Sequence, residues 1–67
     1  MNNIKVGDLV MNDCYRHKYF CIPGIVLNIN SDIIHNVEYS FAKVLYENYK
    51  VIFWNIKNLK VISTNHA

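Results

Sequence analysis

Glycine and proline are scarce in this 67-residue chain, limited to Gly7, Gly24 and Pro23. So few glycines leave no Gly-rich loop of the kind that cradles phosphates. Alanine, the best helix former, stands only at Ala42 and Ala67, so helix is not expected to dominate. Arginine is limited to Arg16, which gives bidentate recognition of phosphate or guanine little to build on. There is no HExxH, no GxSxG elbow and no acid pair at a telling spacing. These absences point away from an enzyme and from any cofactor. No apolar run approaches the roughly 18 residues of a membrane span, so no membrane partner is expected. The start, MNNIKVGD, lacks the apolar stretch of a secretory signal, and a cytoplasmic location is expected.

Size sets the next bound. A chain of this length makes one domain at most, 1–67, whose core rarely supplies more than about 3–5 kcal/mol net. A hydrophobic share of 52% is enough for a core, and a partner or a second copy could complete it. The net charge of +2 is only a weak pull toward polyanions. Asn, Ile, Lys, Tyr and Phe fill about half the chain, and their AT-rich codons suggest an AT-rich genome such as a phage's. For a viral protein the expected location is the cytoplasm of the host cell.

What is present favours a pleated surface, because Ile, Val, Tyr, Phe and Trp recur throughout. Five short strands are predicted, at about 5–11, 24–30, 37–46, 49–55 and 60–62. One tight helical turn fits Lys57 to Lys60. Val6 and Val10 would share one face of the first strand, and Ile25, Leu27 and Ile29 one face of the second. Asp8 and Asp13 read as turn residues that hydrogen-bond backbone.

The stretch YKVIFWNIKNLKVIS, residues 49–63, holds more large apolar side chains than one core face can take. A two-residue turn at Glu47-Asn48 would pair Tyr46 with Tyr49, Val44 with Val51, Ala42 with Phe53 and Phe41 with Trp54. That register puts Ala42, Val44, Tyr46, Tyr49, Val51 and Phe53 inside. It leaves Phe41, Ile52 and Trp54 as an outward patch fringed by Lys43 and Lys50.

The segments IKVGDLVM, PGIVLNI and FAKVLYENYKVIFWNIKNLKVIS together resemble the small SH3-like barrels of phage and bacterial origin. The resemblance covers about residues 4–63. It implies an all-β fold: a small five-stranded SH3-like barrel with one 3-10 turn before the last strand. The long loop after strand one lacks the acidic-aromatic signature of SH3 domains, so proline-rich ligands are not implied.

Two surfaces could carry function. Trp54, Phe41 and Ile52, with Lys43 and Lys50 for orientation, read either as anchors for a protein partner or as a secondary core. The loop NDCYRHKYFCIPG, read as extended, puts Arg16 and Lys18 on one side and Tyr15, His17 and Tyr19 on the other. It is either a basic-aromatic finger for nucleic acid or an ordinary loop folded over one end of the barrel. Cys14, His17 and Cys21 supply three local metal-ligand types, with His35 or His66 needed as a fourth. No metal site is expected from that incomplete set, and the thiols read as small, partly buried groups. The reading that emerges is a non-enzymatic adaptor or accessory protein that binds a protein partner, with a second copy also a candidate. Nucleic-acid binding through loop 15–20 and the hairpin lysines is the alternative.

Overall fold

The computed structural model describes residues 4–63. It contains β1 (Leu9–Asn12), β2 (Gly24–Ile34), β3 (Val37–Tyr46), β4 (Val51–Asn55), the 3-10 turn η1 (Ile56–Asn58) and β5 (Leu59–Ser63). All strand pairings are antiparallel, and the sheet runs in the order β4-β3-β2-β1-β5. The expected all-β class, five strands and 3-10 turn are present. Among the described residues no pairing joins β4 to β5, so the sheet is open. It curls strongly all the same: Trp54 from one edge strand and Leu59 from the other lie in one buried cluster with Val10, Val26, Ala42, Val44 and Tyr46. No described helix is long and apolar enough to cross a membrane.

Local chemistry explains the elements. Gly7 has φ 92, a conformation that strains any L side chain, and it turns the chain into β1. The buried Asp8 braces that turn by accepting the Lys5 backbone N–H at 2.8 Å. Val6 falls in the turn and is exposed, so it does not share a strand face with Val10 as expected. Gly24 opens β2 where a Cβ would collide with the side chains of Val44 and Tyr46. Asn55 caps η1 by accepting the Lys57 N–H at 3.0 Å.

Two departures from the expected registers decide which side chains face solvent. In β2 the ladder slips between Val26 and Asn28, a bulge that reverses the inward phase. Val26 and Ile29 therefore point to the core, while Ile25 and Leu27 are exposed, at 46% and 40%. In the β3–β4 hairpin the loop has three residues, Glu47-Asn48-Tyr49. Tyr46 N–H donates to Lys50 O and Tyr49 N–H to Tyr46 O, both at 2.9 Å, and Tyr49 holds φ 62. That geometry fits a turn followed by one left-handed residue. The pairing becomes Ala42↔Trp54, Lys43↔Phe53, Val44↔Ile52 and Leu45↔Val51, one position from the expected register.

A one-residue slip exchanges the faces of β4. Trp54 is buried at 7%, whereas Phe53 is 62% exposed and Tyr49 88%. The energetic reason can be weighed. The Trp54 Nε1–H donates to Tyr46 Oη at 2.8 Å in a buried site, a bond worth about 1 kcal/mol net. Ile52 brings one more methylene inward than Val51 would, about 0.8 kcal/mol, and the indole is larger than a phenyl ring. Together these exceed the about 1–2 kcal/mol of holding Tyr49 left-handed.

Candidate interaction surfaces

The inner surface takes three of the nine Phe, Tyr and Trp side chains, Tyr19, Tyr46 and Trp54. Tyr19 is buried and stacks on Tyr46 with ring centroids 4.5 Å apart. Its hydroxyl accepts from Asn48 Nδ2 at 2.8 Å, and its carbonyl accepts from buried Asn12 Nδ2 at 2.7 Å. His17 meets Trp54 edge-on at 4.7 Å, and its Nδ1 accepts the Tyr19 backbone N–H at 3.1 Å. The loop after β1 is thus a run of turns clamped onto the core, with His17 N–H to Cys14 O and Phe20 N–H to His17 O among its bonds. It is not the extended finger that alternation suggested. Arg16 and Lys18 remain exposed and Tyr15 is 71% exposed, but Tyr19 is closed off and His17 half-buried.

That arrangement separates the expected partner-binding set. Trp54 is core, a correction to its expected place outside, and Ile52 packs against the same cluster. Phe41 and Lys43 lie on the opposite face, both half-buried, and Lys50 is exposed beside the loop. Cys14 and Cys21 are free and exposed, contrary to the partial burial expected. His35 is an exposed turn residue, and His66 lies outside the described residues. Among the described residues, no three His, Cys, Asp or Glu side chains gather as metal ligands would.

A different surface emerges on the outer face. Cross-strand pairing places Val51, Leu45, Ile25 and Leu9 in one row across four strands. Phe53 and Lys43 form the next rung, and Phe41 and Tyr39 continue the strip along β3, their rings 6.4 Å apart. At the body end of the strip a groove of about 370 Å³ is lined by Leu9, Pro23, Ile25, Leu45 and Tyr49, with Glu47 as its one acid. A second groove, of about 410 Å³, lies between Met11, Phe20, Cys21 and Lys60, beside Tyr15. Phe53 and Ile25 are the surface residues that sequence reasoning missed, whereas Leu45 lies on the outer face of the hairpin as expected. The period-2 pattern carried the signal, but its phase was misread by one residue in β4 and by the bulge in β2.

Beyond Phe41 the β2–β3 pair leaves the sheet. β1 pairs with β2 only at Gly24 and Ile25, and β4 reaches β3 only as far as Phe41. Residues 31–40 are therefore a two-stranded ribbon, closed by His35 and Asn36 at φ 52 and 63, as a two-residue I′ turn requires. Its end carries Ile33, Ile34 and Val37 at 68%, 44% and 48% exposure.

Compared with protein-family models, curated proteins and solved structures, the chain matches none.

Proposed function

We propose that the chain is a small SH3-like domain acting without catalysis, as an adaptor or accessory protein, and that it binds a protein partner through the outer face of its sheet. The layout supports the fold: a long loop after the first strand, a central hairpin, an aromatic strand and one 3-10 turn before the last strand match the barrels that the sequence resembles. The observation that carries the binding surface is Phe53. It stands 62% exposed beside Lys43 and next to the Leu45–Ile25–Leu9 row. A large ring ringed by aliphatics and one cation is the make-up of an interface centre. The nucleic-acid alternative loses ground because Tyr19 and His17 are committed to the core. Tyr15, Arg16 and Lys18 are left in the loop, and its two cations make only four with the hairpin's Lys43 and Lys50, few for strong counterion release.

The test is affinity capture from the source lysate, followed by titration of the recovered protein. Phe53→Asp is expected to weaken that complex by about thirtyfold, the size of a hot-spot loss of about 2 kcal/mol. Arg16→Ala with Lys18→Ala should leave it unchanged. Unaltered capture by Phe53→Asp overturns the reading. So does DNA binding with a steep salt dependence that the Arg16 and Lys18 substitutions abolish.

A further inference from the structure

We infer that the partner fitted to this outer face is a second copy of the chain, packed face to face and antiparallel about a two-fold axis near Phe41. The inference rests on the outer-face reading above and names its occupant.

The first reason is charge. Residues 31–40 contain Asp32 and Glu38 and no Lys or Arg. Alternation turns Asp32, the partner of Tyr39, to the outer face and Glu38, the partner of Ile33, to the inner one, so the strip carries an acid one rung to the ribbon side of Phe41 and a cation, Lys43, one rung to the body side. Two copies related by a two-fold rotation bring unlike ends together, whereas parallel stacking would bring like ends together.

The second reason is register. A two-fold axis at Phe41 places position 39 of one copy over position 43 of the other, and position 37 over position 45. Asp32 is the cross-strand partner of Tyr39, and Ile34 that of Val37. Tyr39 of one copy therefore comes onto Lys43 of the second and Asp32 onto Asn28, the cross-strand partner of Lys43, so Asp32 stands one strand diagonally from Lys43, and the same pair forms again by symmetry. Ile34 and Val37 come onto Leu45 and its neighbour Ile25, which line the body-end groove. Packed sheets lie about 10 Å apart with strands within about 30° of alignment, a gap that a lysine and an aspartate can span together. An apolar knob meets an apolar groove at both ends, and Phe41 meets its own copy between them.

The third reason is the ribbon itself. A two-stranded hairpin is marginal in water without a packed face, and this one carries two exposed branched aliphatics, Ile34 and Val37, on the outer side of its tip. Packing on a second copy covers the ribbon's outer side, including Tyr39 and Ile34.

Sedimentation velocity of the full chain over a wide concentration range tests this. Wild type is expected to pass from monomer to dimer, less readily at high salt. Asp32→Lys and Lys43→Glu, each counted twice in a symmetric dimer, should each weaken dimerisation at least about tenfold, and the doubly substituted chain should recover it. Circular dichroism confirms that each variant is folded, and Asp32→Asn offers a milder variant at the exposed position. A wild type that stays monomeric overturns the inference. So do single variants that dimerise like wild type, or a double variant that does not recover. A monomer whose capture of another protein is lost in Phe53→Asp removes the second copy and keeps the face. A dimer indifferent to Phe53→Asp removes both.

Discussion

Tyr46 sits between the Tyr19 ring and the Trp54 indole, and its hydroxyl accepts the buried indole N–H. Tyr46→Phe keeps the ring and removes the acceptor, so a buried donor is left without a partner. The expected cost is about 1–3 kcal/mol, read as a lower urea midpoint with an unchanged slope. Burial also raises the Tyr46 phenol above its ordinary pKa of 10.0. The unfolded chain, with its ordinary phenol, therefore loses this proton first as pH rises. The contribution to stability is whole below about pH 10 and is lost as pH climbs through the raised folded value. Wild type should weaken in that alkaline window, and the drop should be smaller in Tyr46→Phe. An identical drop in both proteins would remove Tyr46 from the explanation.

At the scale of elements, the β3–β4 loop governs the outer face. Tyr49 is left-handed at φ 62 and 88% exposed, so its side chain contributes little packing to offset its strain. Tyr49→Gly should stabilise the chain by up to about 1 kcal/mol, because the strain released exceeds glycine's extra unfolded entropy. Thermal unfolding checks the sign, and a lower Tm would mean that Tyr49 is held by contacts worth more than its strain. The same loop explains why the register was hard to read. Asn48 was the visible candidate for positive φ, yet its side chain instead donates to Tyr19 Oη and accepts the Lys50 N–H. The bond to Tyr19 comes from a residue 29 positions away, and no local pattern announces it. β3 was legible to the residue because an apolar inner row and a clear turn bound it. β2 was read four residues short, because Asn30, Ser31 and Asp32 are poor strand formers that here rely on the ladder to β3.

For the whole molecule, the all-β class and the element order could be read from a few turn residues and a run of branched and aromatic side chains. The allocation of faces could not. Period 2 offers two phases, and the choice between them depends on long-range partners: Trp54 with Tyr46, Val26 with Val44, Tyr19 with Asn48. The consequence is functional as well as structural. The phase that buries Trp54 is the one that exposes Phe53 and adds Val51 to the Leu45–Ile25–Leu9 row, the outer face on which the proposed binding surface rests. Because Trp54 is the single tryptophan, its fluorescence reports on that choice alone. The decisive measurement is emission and acrylamide quenching of the native chain against the urea-unfolded chain. The expected result is a native emission shifted to the blue and a quenching constant several-fold lower than in the unfolded chain. Native emission and quenching equal to those of the unfolded chain, in a sample that circular dichroism shows to be folded, would place the indole outside and contradict the register and the surface built on it.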